Sequence, residues 1–333
     1  MHFASLAAIC AAVSAPFLST RLVNGISLTP EGRVFLVFQR VDNSTGLTIV
    51  EYNRTTNTST AYPNAVWNNY TSGADPGSNF VGANAQRIGP DGNLYVVDTG
   101  QVGGSGPVLL PYGPKLLQIN VTTNTVTRIY PMGNATSSSS HLDDVRFHNV
   151  TGKAYPTDAG YPGLIVLNLA SGDTRRALSN DLSTREYMPA SATCYTPWLE
   201  VLPDGQWLYY EPSSGGMSRI ETKWLDGAFY NSTLNDNSIL DRYVQPFAHT
   251  PSTGDTAIDA QGNVYNSDID SQRVVKINPN VDAMWIDRNG TLWMPANQLN
   301  RGTGYNNGTS RIVKPLDIFT IHIGIGPSPI NHA

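Results

Sequence analysis

A polar turn followed by a short apolar strand recurs six times along this chain, and this repeat constrains the fold more than any other feature. Two clear copies are Pro90-Asp91-Gly92 followed by NLYVVD and Pro203-Asp204-Gly205 followed by QWLYYE. A glycine at the end of the turn supplies the positive φ that a tight hairpin requires. The repeat therefore predicts a series of similar antiparallel sheets. The six turn glycines are Gly32, Gly92, Gly152, Gly205, Gly262 and Gly290.

The spacing of these glycines predicts the size of each repeat. Successive glycines are 60, 60, 53, 57 and 28 residues apart. Each of the first four intervals accommodates a four-stranded sheet, and radial repetition of such sheets is a β-propeller, whose closed ring protects the sheet edges. We therefore expect an all-β fold, a six-bladed β-propeller with four-stranded antiparallel blades. The interval of 28 residues cannot hold a full blade, so either the fifth blade is incomplete or a segment is missing.

Composition supports a turn-rich β protein. Charged residues make up 14% of the chain, against about 25% in typical globular proteins, and there are 30 glycines and 22 prolines. Helical periodicity is weak, with residues 218–230 the nearest candidate. The formal net charge of −5 argues against a nucleic-acid partner, because phosphate binding depends on basic residues. The sequence has no run of 18 apolar residues beyond the N-terminus, so no membrane span is predicted. It does not define the oligomeric state.

The N-terminus and the glycosylation sequons predict a secretory protein. Residues 3–13 are apolar and lead into Val13-Ser14-Ala15, which suits signal peptidase, so we expect a signal peptide at 1–15 and a single propeller domain at 16–333. Its removal takes Cys10 and leaves Cys194 without an intrachain partner. Sequons spread over the chain predict a glycoprotein that is secreted or lies in the secretory-pathway lumen. They are Asn43, Asn53, Asn57, Asn69, Asn120, Asn134, Asn149, Asn231, Asn289 and Asn307.

Several segments resemble the major royal jelly protein/yellow family. The most specific is LDDVRF at 142–147, followed by TGKAY at 151–155, TDAG at 157–160 and GLIV at 163–166. The resemblance runs from about residue 24 to about residue 300, and it implies a secreted six-bladed propeller. Two features depart from the family: the disulfide-forming cysteines are missing, and the fifth interval is short.

The resemblance also implies a function. Fungal members of the family lie among secondary-metabolite enzymes, and this chain is similar to those that resemble hetero-Diels–Alderases. Such enzymes join a tropolone-type o-quinone methide to a humulene-like sesquiterpene alkene, so the expected partners are small aromatic and terpenoid molecules. Two alternatives are a non-catalytic binder of small phenols or amines and a calcium-dependent lactonase or isomerase.

The candidate catalytic residues are His141, Asp143 and Asp144. Adjacent strand residues point to opposite sides, so at most one of the two aspartates faces the channel, as a general acid or base or a cation ligand. The alternative is a turn cap that fixes the entry of the strand. His141 is the best proton-transfer candidate because histidine titrates near pH 6.5. Its alternative is an ordinary histidine on a mobile loop.

The candidate substrate-binding residues form two groups. Tyr195 and Trp198 belong to a proline-flanked loop that could cap a ligand. Asp98, Asp158 and Asp268 end strands at matching positions, and because a structural device recurs whereas a unique site does not, a structural role competes with substrate binding. The sequence has no metal-spaced Cys or His pair, no phosphate loop and no nucleophile elbow. We therefore predict no cofactor, with calcium held by channel Asp and Asn residues as the alternative.

Overall fold

The computed structural model describes most of the chain. The residues described are 23–39, 46–186, 198–214, 216–248, 250, 252–260, 262, 264–268, 284–295, 309–310 and 318–330. Several predictions lie outside these residues: the signal peptide, the sequons at Asn43 and Asn307, Tyr195 and both cysteines.

The first four repeats each form a four-stranded sheet whose strands follow chain order. Blade 1 contains β1 (Val23–Leu28), β2 (Val34–Phe38), β3 (Ile49–Asn53) and β4 (Thr58–Ala61). Blade 2 contains β5 (Ala83–Ile88), β6 (Leu94–Thr99), β7 (Pro114–Asn120) and β8 (Thr125–Pro131). Blade 3 contains β9 (Leu142–His148), β10 (Lys153–Asp158), β11 (Leu164–Asn168) and β12 (Thr174–Ala177). Blade 4 contains β13 (Trp198–Val201), β14 (Trp207–Glu211), β15 (Met217–Glu221) and β16 (Gln245–Ala248).

The last two repeats are smaller. The fifth repeat forms a two-stranded sheet of β17 (Thr253–Ile258) and β18 (Val264–Asp268). The sixth forms a three-stranded sheet of β19 (Trp285–Ile286), β20 (Thr291–Pro295) and β21 (Ile318–His322). Two α-helices follow β15, α1 (Thr222–Tyr230) and α2 (Asn237–Leu240), and three short 3-10 helices lie at Val102–Gly104, Leu182–Thr184 and Asp241–Tyr243.

The all-β propeller with four-stranded antiparallel blades is confirmed, but the predicted count of six blades is wrong. The described residues form five blades of three or four strands. Among the described residues the fifth repeat contributes the hairpin β17–β18, because the 28-residue spacing of Gly262 and Gly290 is too short for four strands. The turn glycines behave as predicted; the φ of Gly92 is 75° and that of Gly205 is 72°.

Apolar side chains hold neighbouring blades together. One cluster joins blades 1 and 2 through residues such as Phe35 and Leu94. Another joins blades 3 and 4 through Tyr155 and Leu208, and helix α1 adds Leu225 to it. Burying a side chain of this size stabilises the fold by about 1.5–3 kcal/mol, so contacts between blades fix the inner strands relative to one another.

A β-bulge near the start of the inner strands positions polar residues. In β1 the register shifts between Val23 and Gly25, which leaves Asn24 as the extra residue. The same shift in β5 leaves Asn84 as the extra residue, and in the β9–β10 pair a shift falls opposite Asp143 and Asp144. A bulge bends the strand and redirects its side chains. We call this end of the inner strands, marked by Asn24, Asn84 and Asp143, the mouth.

Candidate functional site

The carboxylate of Asp98 is a buried cap. It is completely buried and accepts hydrogen bonds from the backbone N–H groups of Val81, Gly82 and Gly100 at 2.8–2.9 Å. The Lys115 ammonium donates a fourth hydrogen bond at 2.8 Å. A carboxylate has about four lone-pair sites, so Asp98 has none left for a substrate.

Asp158 repeats this arrangement in blade 3. Its carboxylate accepts hydrogen bonds from the backbone N–H groups of His141, Gly160 and Tyr161 at 2.8–3.1 Å and pairs with Arg176. The structural alternative therefore accounts for both Asp98 and Asp158. Asp268 ends β18 at the matching position, but its side chain lies outside the described residues.

His141 is held firmly at the mouth, just before β9. Its backbone N–H donates to Asp158 at 2.8 Å, and its carbonyl accepts a hydrogen bond from Ala159 N–H at 2.8 Å. Gly160 allows the close approach of this loop, because a Cβ there would lie 2.2 Å from Ser139 O and 2.6 Å from His141 N. This geometry does not fit the mobile-loop alternative.

The imidazole of His141 is also fixed. Its Nδ1 lies 2.6 Å from Oε1 of Gln101, and the ring is partly exposed. Burial lowers the pKa of His141 below 6.5, and the carboxylate of Asp158 opposes this effect in part. The imidazole is therefore neutral near pH 7 and is able to accept a proton.

Asp143 belongs to a chain of amide contacts across three blades. Asn84 Nδ2 donates to Asp143 Oδ1 at 2.5 Å, and Asn24 Nδ2 donates to Asn84 Oδ1 at 3.1 Å. Gln39 also donates to Asn84. Asp143 is half-buried, so the mouth presents a carboxylate that is hydrogen-bonded by the carboxamide of Asn84.

Asn24 and Asn84 were not predicted as site residues, although their positions in the repeat could have indicated them. Asn24 and Asn84 each lie eight residues before a turn glycine, Gly32 and Gly92. Asp144 has the same offset from Gly152. An inventory of polar residues at a fixed distance from the repeated turn would have selected all three.

Asp144 lies in a buried ion-pair network that joins the inner strands. Its carboxylate is 2.6 Å from the guanidinium of Arg87 on β5 and also pairs with Arg146. Arg146 reaches Glu200 on β13 at 2.7 Å and lies 3.9 Å from Asp255 on β17. Burial alone would raise the pKa of Asp144, but the charges of Arg146 and Arg87 outweigh it and lower the pKa. Asp144 therefore stays ionised and links blades, which does not suit a proton donor.

Trp198 starts β13 and forms part of the wall between blades. Its side chain is 8% exposed, and its indole Nε1 donates to the carbonyl of Thr253 at 2.8 Å. Little of the ring is therefore available to stack on a ligand.

Glu211 is the fourth member of the series of strand-ending acids, and it differs from Asp98. Lys115 stands opposite Asp98 in the sheet. In blade 4, continuing the β14–β15 pairing by one residue places the apolar Met217 opposite Glu211. The carboxyl group accepts hydrogen bonds from Asn266 Nδ2 at 2.9 Å and from the hydroxyl of Thr250. Burial raises the pKa of Glu211 to about 7, and its hydrogen bonds with neutral side chains oppose this effect only in part.

Metal-binding clusters and membrane-spanning helices are both absent from the described part of the chain. No group of three or more histidine, cysteine, aspartate or glutamate side chains there is placed to hold a metal ion. None of the helices in those same segments has the length and apolar character needed to cross a membrane.

The radial antiparallel blades and the polar mouth define a β-propeller with a candidate site at one end of its channel. The sequence profile described as "Major royal jelly protein" matches residues 84–284, which is 201 of the 333 residues. The chain belongs to the major royal jelly protein family. No curated protein matches its sequence significantly.

Solved structures with a similar fold are distant in sequence. Regucalcin from Agrobacterium tumefaciens, described as a calcium-binding protein, is 12% identical with a TM-score of 0.56, and the match covers 97% of this chain and 98% of regucalcin. A luciferin-regenerating enzyme is 13% identical with a TM-score of 0.53, and the match covers 95% and 96% of the two chains. At these identities the likeness shows the fold alone.

Proposed function

We propose that this protein is a secretory-route enzyme that forms a tropolone-type o-quinone methide and directs its hetero-Diels–Alder reaction with a sesquiterpene alkene. The observation that carries the proposal is the fixed, neutral imidazole of His141, two residues from the half-buried carboxylate of Asp143. Together they place a proton acceptor beside a carboxylate at the mouth.

The first step is loss of water from a ring that bears a hydroxyl beside a hydroxymethyl group. Nε2 of His141 takes the proton of the ring hydroxyl as the C–O bond of the hydroxymethyl group breaks. The same proton returns to the departing hydroxide, which leaves as water. The ring keeps a new C=O and an exocyclic C=C bond, so no oxidant or reductant is needed. General acid–base catalysis of this kind contributes about 10²–10⁴-fold.

The second step needs orientation more than chemical groups. Holding both partners in reacting geometry contributes up to about 7–11 kcal/mol, and donors placed near the ring oxygen stabilise charge that develops there. Among the described residues, Asn24 Oδ1 and both amide atoms of Gln86 are buried without a hydrogen-bond partner. Since buried polar groups are nearly always paired, these atoms support a polar ligand group near the mouth.

The secretory route is part of the proposal. Seven sequon asparagines of the described segments are exposed, and Asn120 is partly buried. The exposed seven are Asn53, Asn57, Asn69, Asn134, Asn149, Asn231 and Asn289. This exposure is what glycan attachment requires.

Incubation of the purified protein with the hydroxymethyl tropolone and humulene tests the function. We expect product above the uncatalysed rate with one enantiomer in excess, and the exposed-turn variant Asp204→Asn should match the wild type. Racemic product at the uncatalysed rate contradicts the proposal. Tight binding by calorimetry without any product would instead support the alternative of a phenol or amine binder.

A further inference from the structure

The side chains of Gln101 and His141 meet between blades 2 and 3. Gln101 lies in the loop that joins β6 to β7, and its Oε1 is 2.6 Å from Nδ1 of His141. An amide oxygen can only accept a hydrogen bond, so the hydrogen of the neutral imidazole lies on Nδ1. Nε2 then keeps its lone pair and is the basic atom of the ring.

Two acids hold the two partners in place. Asp98 accepts hydrogen bonds from the N–H groups of Gly82 and Gly100. Gly100 precedes Gln101 in the sequence, and Gly82 lies beside Gln101 in space. Gly82 fits closely against Gln101, since a Cβ on Gly82 would lie 2.4 Å from the carbonyl oxygen of Gln101. On the other side Asp158 caps the N–H of His141 at 2.8 Å. Asp98 and Asp158, the acids that end the second strands of blades 2 and 3, therefore fix the backbones on either side of the Gln101–His141 contact.

Burial favours the neutral imidazole, and the neighbouring carboxylate opposes this only in part. Asp158 is the carboxylate that acts on the ring, and its charge is shared with the guanidinium of Arg176. Gln101 adds no charge. A carboxylate in its place would stabilise the imidazolium ion and abolish the free lone pair at neutral pH.

We propose that Gln101 is a positioning residue that fixes the tautomer of His141, so that Nε2 is the base for a neutral hydroxyl-bearing substrate. This inference rests on the proposed function for its effect on catalysis, but the tautomer itself is independent of it. The side-chain contact and the two capped backbones are the observations that support it.

Long-range ¹H–¹⁵N NMR of the full-length, histidine-labelled protein measures the tautomer and the pKa of His141 directly, with His141→Gln identifying the signals. The wild type should show the Nδ1–H tautomer and a pKa below 6.5. Gln101→Glu should raise this pKa, and Gln101→Met should populate the Nε2–H tautomer. An Nε2–H tautomer in the wild type, or unchanged signals in both variants, overturns the inference.

The same variants connect the tautomer to catalysis. Gln101→Met should lower kcat for quinone methide formation about 10- to 100-fold with little change in KM, and Gln101→Glu should shift the acidic limb of the pH profile upward. Gln206→Met and Gln206→Glu, on an exposed turn, are the matched controls and should change neither property. Unchanged kcat in Gln101→Met also overturns the inference. A wild type that shows the expected tautomer but forms no product refutes the proposed function alone.

Discussion

Equivalent acids in successive blades have different partners. Asp98 faces the ammonium of Lys115, whereas within the described segments Glu211 is hydrogen-bonded by neutral groups, including the hydroxyl of Thr250 and the amide of Asn266. A buried carboxylate without a cation is destabilised, so its protonated form is favoured. Glu211 is therefore one residue through which pH acts on the joint between blade 4 and the fifth repeat.

The pKa of Glu211 predicts a change of stability with pH. Its folded pKa of about 7 exceeds the ordinary 4.5, so between these values the folded protein binds more protons than the unfolded chain, and stability falls as pH rises. The full effect is about 3 kcal/mol. We expect Glu211→Gln to gain stability relative to the wild type between pH 5 and pH 8, measured by denaturant unfolding. The exposed Glu31→Gln is the control, and parallel pH curves for Glu211→Gln and wild type would refute this assignment.

The strand-ending acids were predictable as a series, but their partners were not. The sequence indicated Asp98, Asp158 and Asp268 because the repeated turn places them at one position. It did not indicate that Lys115 and Arg176 would neutralise the first two, because those cations come from other strands of the sheet. His141 was predictable as a proton-transfer candidate, whereas Gln101 is 40 residues away in sequence and carries no motif.

At the scale of elements, blade 2 depends on the acid that ends its second strand. Asp98 ties β6 to β7 through Lys115 and ties the loop before β5 through backbone N–H groups. Removal of one partner of a buried ion pair leaves an uncompensated charge. Exposed pairs lack this penalty because water solvates the remaining charge.

Lys115→Met should therefore destabilise the protein by about 3–5 kcal/mol. The control is Lys223→Met, which removes an exposed ion pair with Glu221 and should cost no more than about 1 kcal/mol. The free energy of unfolding in urea measures both. Asp98→Asn combined with Lys115→Met should recover part of the loss, and equal effects of the two lysine variants would contradict the account.

The turn glycines correctly predicted the first four blades. Gly92 and Gly205 have the positive φ that the sequence required. The blade count failed at the fifth repeat, where the glycine and the strand after it are present but the strands that complete a blade are absent from the described residues. The repeated motif marks only the first hairpin of a blade, so it cannot report whether the outer strands follow.

At the scale of the whole molecule, charged side chains link the inner strands of four repeats. Arg87, Asp144, Arg146, Glu200 and Asp255 lie on β5, β9, β13 and β17, and all are buried. Arg87 also lies over the ring of Trp285 on β19, 5.8 Å from its centroid. These buried contacts join the inner strands to one another, so we expect a small molecule to bind at the mouth and not to pass through the ring.

A secreted protein should carry N-glycans on its exposed sequon asparagines. Expressed in a eukaryotic secretory host, the protein should carry N-glycans at exposed sequons such as Asn149 and Asn231, with lower occupancy at the partly buried Asn120. Mass spectrometry of peptides after enzymatic deglycosylation in ¹⁸O-water measures occupancy site by site. Asn68, which is buried and has no sequon, is the internal control, and unmodified asparagines throughout would contradict the secretory route.

The most direct test of the central claim compares the two reaction steps in wild type and His141→Gln, with product followed by chiral chromatography. Starting from the hydroxymethyl tropolone, the wild type should form one enantiomer in excess, and His141→Gln should be slower by about 10²–10⁴-fold. Starting from a quinone methide generated chemically in the mixture, both proteins should give the same enantiomer at similar rates, because His141 acts before the cycloaddition. Equal rates for the two proteins from the hydroxymethyl tropolone, or racemic product from the wild type, would contradict the account.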